Sequence, residues 1–353
     1  MIRPGDDVLA DLAAWSATLG ADPAVIQGPG GNTSVKVGAG LCQVLHVKAS
    51  GLWLRHAAVR PSFVALDLGR LRTALAGAIV EPSLQPFILD APGGMRPSIE
   101  TSLHAAMPHP VVVHTHSVNA IAHLVQPALE ATLAAKLAGL RWAYVPYARP
   151  GLPLLRAVEH AGGAKADVLM LANHGLVLGA GSVAQAAALH ADLEARLRLP
   201  VRWPVRWPAG SPDLAPDLAR LRALGGPVGW RPAALAESHQ LGLDPISAGL
   251  SRHGALYPDH VVFLGAGPVL HCLATDEAGR SGRKLLVVGG AGALVPEHLD
   301  DAAEEMVRGL SLVLARIGPG ASLRTLTATA ERDLTEWDAE VFRRSLARAS
   351  SWP

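Results

Sequence analysis

The sequence is poor in cysteine, aromatic residues and net charge, and each shortage excludes a class of protein. Its 353 residues include two cysteines, Cys42 and Cys272, which are too few for a disulfide framework and indicate a reducing compartment. Aromatic residues make up 4% and the formal net charge is +1, so no basic field favours nucleic acid as a partner. The arginines at 196–206 are interpreted as a solvated, locally basic stretch.

Long hydrophobic runs are also missing. No run approaches the roughly 18 uninterrupted apolar residues of a membrane span. The N-terminus reaches an acidic residue at its sixth position and shows no signal-peptide h-region. Half of the residues are hydrophobic and 17% are charged, which indicates folded cores rather than disorder. We therefore expect a cytoplasmic, globular protein without a membrane or nucleic-acid partner.

Short β-rich segments alternate with helical patterns through the first 198 residues. Alternating apolar residues predict strands, whereas apolar residues at a spacing of three to four predict helices. Ser98 precedes one such helix and is predicted to be its N-cap. The predicted strands are 32–37, 42–50, 63–69, 110–115, 142–148 and a pair within 167–180. The predicted helices are 6–20, 98–107, 117–125, 152–162 and 182–198.

A proline-rich stretch separates this region from the rest. The tetrapeptide VRWP occurs twice between 201 and 208, and proline prevents a helix from continuing. We predict a first domain at 1–198, a linker at 199–216 and a smaller α/β region at 217–353.

The C-terminal region contains a faint internal similarity. Residues 171–197 align with 288–314, so that Gly175 matches Gly292 and His174 matches Ala291. Both segments predict two apolar strands around a glycine, followed by an alanine-rich helix. One interpretation is a diverged partial repeat without the histidine. The other is a chance likeness between two ordinary βα units.

Two histidines at the end of an apolar strand carry the main chemical signal. Alternate residues of a strand face the same side, so His114 and His116 point in one direction. His174, at a sharp turn between two strands, is a third candidate, and Glu100 lies on the helix that leads to the His114 strand. Three imidazoles with an open position and a nearby carboxylate are typical of a catalytic divalent metal. A pair of structural histidines is the alternative, because such short patterns arise by chance.

Three turns rich in glycine and small hydroxyl residues favour an anion. The segments are 27–37, with Asn32, 47–51, with Lys48, and 96–100, with Arg96. Glycines let backbone N–H groups approach an anion closely. The pattern is neither a P-loop nor a dinucleotide fingerprint, and each segment alone could be an ordinary turn.

The ordered segments GGNTSVK, KASG, RPSIETSLHAAMPHPVVVHTHS and LANHGLVLG resemble the class II aldolase/adducin family, which includes L-fuculose-phosphate and L-rhamnulose-phosphate aldolases. The resemblance covers about residues 8–198. Residues 217–348 resemble the end of the aldolase part of bacterial aldolase/dehydrogenase fusions from rhamnose catabolism. The family implies a three-layer α/β/α sandwich with a mostly antiparallel central sheet, assembled as a homo-oligomer, usually a tetramer.

The resemblance also implies roles for individual residues. His114, His116 and His174 would bind Zn²⁺ or another divalent ion such as Mn²⁺ or Co²⁺. Glu100 would be the general acid/base, a role best served by a pKa raised toward the working pH. The positions implied for the phosphate of a sugar phosphate are Gly31, Asn32, Ser50, Gly51 and Ser98.

The implied reaction is cleavage of a ketose 1-phosphate to dihydroxyacetone phosphate and a small aldehyde, through a metal-stabilised enediolate. Epimerisation at C4 or dehydration at the same site, and a non-catalytic adducin-like binding module, are the alternatives. One departure bears on the choice. The family's catalytic tyrosine lies between the His114 strand and the next strand, and that interval contains none; Tyr144 and Tyr147 are the nearest. The C-terminal region is expected to serve as a lid or as an oligomerisation layer.

Overall fold

The computed structural model describes residues 6–127, 129–202, 215–271 and 282–349. The chain divides into two compact units. The first comprises Met1–Ala120 with Leu129–Leu197, and the second comprises Ile121–Ala128 with Arg198–Pro353. Most of the predicted linker 199–216 lies outside the described residues, so the linker stays a prediction.

An eight-stranded sheet forms the centre of the first unit. Its strands are β1 (Asn32–Val37), β2 (Val44–Lys48), β3 (Phe63–Asp67), β4 (Ile88–Asp90), β5 (Val111–Thr115), β6 (Trp142–Val145), β7 (Val168–Leu171) and β8 (Gly175–Ala180). The order across the sheet is β4-β3-β2-β1-β5-β8-β7-β6. Every neighbouring pair is antiparallel except β6 and β7. The predicted, mostly antiparallel central sheet is confirmed.

Helices connect these strands. They are α1 (Asp6–Ala21), α2 (Leu68–Ala76), α3 (Thr101–Ala106), α4 (Val118–Leu124), α5 (Glu130–Lys136), α6 (Leu152–His160) and α7 (Val183–Leu197). The sequence pattern predicted all of them except α2 and α5. In the described parts of the chain, no helix combines the length and hydropathy needed to cross a membrane.

The prediction of Ser98 as a helix N-cap is wrong. Helix α3 begins at Thr101, and Glu100 is the residue at its N-cap position. A turn precedes the helix, in which the Ser98 carbonyl accepts the N–H of Thr101 at 3.1 Å. The Ser98 hydroxyl accepts the N–H of Glu100 at 3.2 Å, outside the helix. As a consequence, Glu100 lies at the end of the helix and not within its first turn.

Helices cover both faces of the sheet, as adjacent residues of β1 show. Thr33 Oγ1 lies 2.7 Å from Ser16 Oγ of α1, whereas Ser34 Oγ lies 2.7 Å from His104 Nδ1 of α3. Successive strand residues face opposite sides, so α1 and α3 lie on opposite faces. Helix α7 packs with α1, and two apolar clusters pack α2, α3 and α6 against the other face. This arrangement is the predicted three-layer α/β/α sandwich.

The second unit contains a smaller antiparallel sheet of β9 (Trp230–Pro232), β10 (Leu286–Val288) and β11 (Gly292–Pro296), with β11 in the middle. Leu221, Trp230, Leu286 and Leu294 form part of its apolar core. Its helices are α8 (Leu218–Gly225), α9 (Gln240–Leu243), α10 (Pro245–Leu250), Asp301–Leu314, Ala328–Thr335 and Asp338–Ala349, with a π-helix at His260–Leu264.

The two segments that align within the sequence fold into similar hairpins. In the β7–β8 hairpin Leu171 pairs with Gly175, and in the β10–β11 hairpin Val288 pairs with Gly292. Three residues form the loop in both cases, and a long helix follows each hairpin. The strand-turn-strand-helix unit expected from the alignment is therefore present twice.

The backbone of the two loops also agrees. Asn173 and Gly290 occupy the same loop position, and both have a left-handed φ, 53° and 73° respectively. The next residue, His174 or Ala291, donates its N–H to the carbonyl three residues earlier, at 3.2 and 3.0 Å. The hairpins thus share a conformation while differing in the side chain at this position.

Candidate metal centre

Strand β5 presents His114 and His116 on one side of the sheet. His114 pairs with Asn32 of β1, and His116 follows Thr115, the last residue of β5. The two rings lie 4.8 Å apart between centroids, and their Nε2 atoms are 3.0 Å apart. Both side chains are buried. The predicted common orientation is observed.

The β7–β8 hairpin brings His174 to this pair. A Cβ atom at Gly175 would overlap the carbonyl oxygen of Thr115 and would lie 3.3 Å from Cε1 of His114. Glycine therefore allows β8 to approach β5 closely at this point. The ring centroid of His174 lies 4.8 Å from that of His114 and 5.4 Å from that of His116.

The three imidazoles form a donor set that fits a divalent ion. Each offers one nitrogen, and these nitrogens all lie within 4.8 Å of one another. His114 Nδ1 donates to the Leu176 carbonyl at 2.9 Å, which fixes the proton on Nδ1 and leaves the Nε2 lone pair facing the cluster. Three neutral imidazoles are a known ligand set of catalytic metals that keep an open coordination position.

Glu100 lies beside the three histidines. Its Oε2 is 3.4 Å from Nε2 of His114, and its Oε1 is 3.6 Å from Nε2 of His174. The Asn32 amide donates to Oε2 at 2.7 Å. The carboxylate is 4% exposed, so its charge acts in a largely dry environment.

The charge state of Glu100 differs from the expectation. Burial raises the pKa of its carboxyl, but His114, His174 and the Asn32 amide together lower that pKa more, to about 2. The expected rise toward the working pH is therefore contradicted. The histidines lower this pKa to the extent that they are protonated, and a cation bound by the neutral imidazoles would act with the same sign. At this pKa the carboxyl group of Glu100 is ionised at neutral pH.

The glycine-rich turn is held in place by a lysine. Gly31 has a φ of 60°, and a Cβ there would overlap Ile26 and lie 2.9 Å from the His114 carbonyl oxygen. Lys48 Nζ donates to the carbonyls of Pro29 and Gly31 at 2.8 and 3.0 Å. Lys48 is 3% exposed. It therefore supports the turn from inside the protein, and its contribution to binding an anion stays a prediction.

The other two predicted anion segments lie side by side. The N–H of Ser50 donates to the Arg96 carbonyl at 2.8 Å, and the N–H of Ser98 donates to the Lys48 carbonyl at 3.0 Å. Gly51 follows with a φ of 76°. Among the described residues, Ser50 Oγ and Asn32 Oδ1 are buried polar atoms with no hydrogen-bond partner. Such atoms are costly unless they meet a ligand or water, so they mark a polar surface that can receive one.

Sequence reasoning missed three contacts that support the centre. These are the Asn32–Glu100 hydrogen bond, the Ser34–His104 hydrogen bond and the donation from Gln27 Nε2 to the His116 carbonyl at 3.3 Å. The sequence contains a signal for the first two of these contacts. Asn32 and Ser34 are two residues apart on a strand, and Glu100 and His104 are four apart along a helix, so each pair shares a face.

Neither nearby tyrosine lies on the strands that carry the histidines. The interval without tyrosine contains α5, and Tyr144 lies on β6, which β7 and β8 separate from β5. At roughly 4.8 Å per strand, Tyr144 is about 14 Å from the β5 backbone. The structure assigns no aldehyde-protonating role to it. Tyr147, in the segment after β6, has a buried hydroxyl.

A curated protein is similar in sequence to about half of this chain. A curated relative from Bacillus subtilis (strain 168), named an uncharacterized oxidoreductase YuxG, is 31% identical over 180 residues, which are 47% of this chain and 26% of that protein. The chain therefore spans about a quarter of the length of that relative.

Solved structures with similar folds are more distant in sequence. An N-terminal class II aldolase domain from Thermoplasma acidophilum is 24% identical with a TM-score of 0.47, covering 56% of this chain and 95% of its own. An L-fuculose 1-phosphate aldolase is 20% identical with a TM-score of 0.38, and the match covers 54% of this chain and 83% of that chain. These values support no conclusion about activity.

The family model described as "Class II Aldolase and Adducin N-terminal domain" matches residues 10–201, more than half of the chain. The match includes the whole eight-stranded sheet and all three histidines of the centre. The chain belongs to the class II aldolase and adducin N-terminal domain family.

Proposed function

We propose that the first unit is a metal-dependent aldolase that cleaves a ketose 1-phosphate to dihydroxyacetone phosphate and a small aldehyde. The observation that carries the proposal is the convergence of three buried imidazole nitrogens within 4.8 Å, next to the ionised carboxylate of Glu100. His114, His116 and His174 would hold Zn²⁺, Mn²⁺ or Co²⁺. When bound, such an ion supplies a Lewis acid that stabilises negative charge on substrate oxygens.

Glu100 moves the proton in this proposal. As the C3–C4 bond breaks, the C4 hydroxyl loses its proton to the carboxylate and becomes the aldehyde. The electron pair of the broken bond stays on C3, and Glu100 then returns the proton to that carbon. Asn32 orients the carboxylate through its 2.7 Å hydrogen bond to Oε2. The reaction balances without a tyrosine, which suits a chain that has none in the interval before β6.

The phosphate group of the substrate would bind along the polar turns beside the centre. The unpartnered Ser50 hydroxyl and the positive-φ turns at Gly31 and Gly51 support this assignment, since glycines allow an anion to approach the backbone and the hydroxyl is a side-chain donor. Asn32 and Ser98 complete the proposed set.

Because the family tyrosine is missing, a second candidate remains. Epimerisation at C4 or dehydration uses the same stabilised negative charge, and these reactions differ in which bond breaks next. A screen of phosphorylated ketoses, with aldehyde release and epimer formation both measured, decides between them.

Metal content provides the first test. The purified protein should contain close to one equivalent of divalent metal, and His174→Ala should lose it without a large change in thermal stability, because Ala291 occupies the same hairpin position in the second unit. His190→Ala is the matched control, since His190 is a buried imidazole of the same unit outside the cluster. A wild-type protein that binds no divalent metal contradicts the proposal.

Turnover provides the second test. Glu100→Gln should keep the metal while losing roughly 10²–10⁴-fold in kcat, the usual contribution of a general acid/base. Stoichiometric metal with no turnover of any ketose phosphate would instead indicate a non-catalytic, adducin-like module.

Assembly and the second unit belong to the proposal as well. We propose a homo-oligomer, a tetramer by resemblance to the family, in which the second unit serves as a lid or an oligomerisation layer. Sedimentation equilibrium of the full chain measures the subunit number.

A further inference from the structure

Strand β1 holds helix α3 and its flanking residues through a series of polar contacts on one face. The donors and acceptors on the strand are two residues apart, so all of them face α3. In order along the strand, the contacts are Asn32 Nδ2 to Glu100 Oε2 at 2.7 Å, Ser34 Oγ to His104 Nδ1 at 2.7 Å, and Lys36 Nζ to the carbonyls of Met107 and His109.

The distance between successive contacts is nearly the same along β1 and along α3. Two residues of a strand advance by about 6.6 Å, and four residues of a helix advance by about 6.0 Å. Asn32 and Ser34 are two residues apart, while Glu100 and His104 are four apart. Both hydrogen bonds can therefore form only in one alignment of the helix with the strand.

Helix α3 needs such external support. It has six residues, too few to be stable through its own hydrogen bonds. Glu100 lies at its N-terminal end, so a shift or rotation of the helix would move the carboxylate directly. The three histidines lie on β5 and the β7–β8 hairpin and would stay in place.

We propose that the Ser34–His104 hydrogen bond is a positioning device for the Glu100 carboxylate. It fixes the alignment of α3 so that Glu100 faces Nε2 of His114 and His174 at 3.4 and 3.6 Å. Ser34 and His104 are both fully buried, so water does not replace the bond. The consequence for catalysis rests on the proposed reaction, whereas the consequence for metal affinity rests only on the proposed metal site.

The chain contains a matched control on the opposite face of the same strand. Ser16 Oγ and Thr33 Oγ1 are also 2.7 Å apart and fully buried, but they join β1 to α1. Ser16→Ala removes a hydrogen bond of the same length and burial without touching α3. A purely structural role predicts the same consequences for Ser16→Ala and Ser34→Ala.

The test measures Co²⁺ affinity of the full chain in a double-mutant cycle. A carboxylate near the ion strengthens binding, so we expect Ser34→Ala to weaken Co²⁺ affinity three- to tenfold. In the Glu100→Gln background, Ser34→Ala should have no effect. Ser16→Ala should change the affinity in neither background. An equal effect of Ser34→Ala in both backgrounds, or no effect in either, overturns the proposal.

A second pair of variants covers the case in which Ser34→Ala fails to fold. His104→Asn keeps a polar atom near the Nδ1 position and should retain affinity within twofold of wild type. His104→Leu fills similar volume without that atom and should reproduce the three- to tenfold loss. Equal affinities of the two variants contradict the proposal.

A catalytic measurement separates this inference from the proposed function. NMR in D₂O records exchange of the C3 proton of dihydroxyacetone phosphate by the Co²⁺-loaded protein. We expect wild type to exchange it, and Ser34→Ala to reduce the maximal rate about tenfold at unchanged KM. Absence of exchange by wild type contradicts the aldolase, and the Co²⁺ cycle still decides whether Ser34 positions Glu100.

Discussion

His104 shows how a single side chain near the centre responds to its surroundings. It is fully buried against β1, and its Nδ1 has one neutral partner, Ser34 Oγ. Burial lowers the pKa of His104 from 6.5 to about 3, although the Glu100 carboxylate opposes this shift. The imidazole is therefore neutral in the folded protein at neutral pH, and it contributes a hydrogen bond rather than a charge.

This shift predicts an acid-sensitive contribution to stability. Since the folded pKa lies below the unfolded value, the unfolded chain binds the extra proton, and the contribution is complete above pH 6.5 and declines as pH falls toward 3. Between pH 7 and pH 5, wild type should lose about 2 kcal/mol more unfolding free energy than His104→Asn. Urea titrations of the metal-free proteins at the two pH values measure this difference in unfolding free energy. His160→Asn, at an exposed position, should behave like wild type.

For single residues, the sequence predicted which side chains form the centre better than it predicted which of them contact one another. The orientation of His114 and His116 followed from strand geometry, because it depends only on local alternation. The hydrogen bond between Asn32 and Glu100 did not follow from local geometry, because it depends on the alignment of β1 with α3. The carbonyl partners of Lys48 were missed for a related reason, because they belong to a turn that the chain forms 17 to 19 residues earlier.

Among the elements, the β7–β8 hairpin has the most direct influence on the centre. It places His174 beside a strand that is distant in sequence, and it does so because Gly175 has no side chain. The contact that a side chain would make is with backbone, which cannot rotate away.

Gly175→Ala should therefore damage both the fold and the site. The added methyl group would push β8 away from the Thr115 carbonyl, so we expect a loss of about 1–3 kcal/mol in unfolding free energy and at least a tenfold loss of metal affinity. Chemical unfolding and Co²⁺ titration measure the two. Gly77→Ala is the control, since a Cβ there meets nothing within 4 Å. Equal metal affinity in the two variants would contradict this account.

The elements that sequence missed share a physical cause. Strand β4 has three residues at the sheet edge, two of them exposed, so it has no apolar alternation to detect. Helix α2 follows β3 without a loop, and its N-cap Asp67 is also the last residue of that strand. Short elements formed by tertiary pairing leave little periodic signal.

At the scale of the whole molecule, the second unit includes a segment from the middle of the chain. Residues 121–128 belong to it, although the first unit surrounds them in sequence. Within the second unit, Arg324 donates its N–H to the Val125 carbonyl at 2.7 Å. Sequence predicted a simple succession of domains because composition carries no information about such a crossing.

Truncation after Leu197 should therefore be harmful. Residues 121–128 would lose the rest of their unit, and each of Ile121, Leu124 and Val125, at most 1% exposed in the full chain, would cost roughly 1.5–3 kcal/mol of unfolding free energy if it became exposed. We expect a lower melting temperature and a smaller soluble fraction than the full chain, measured by calorimetry and by centrifugation of lysates. A fragment as stable and as soluble as the full chain would argue against this expectation.

The two similar hairpins have a consequence for how the proposed activity can be lost. One loop carries His174 and the other Ala291, yet both backbones follow the same path. If the first unit is the proposed aldolase, a single residue change at this place removes one of its metal ligands while the chain keeps its shape. Inactive descendants of such an enzyme would remain folded and free to acquire other uses.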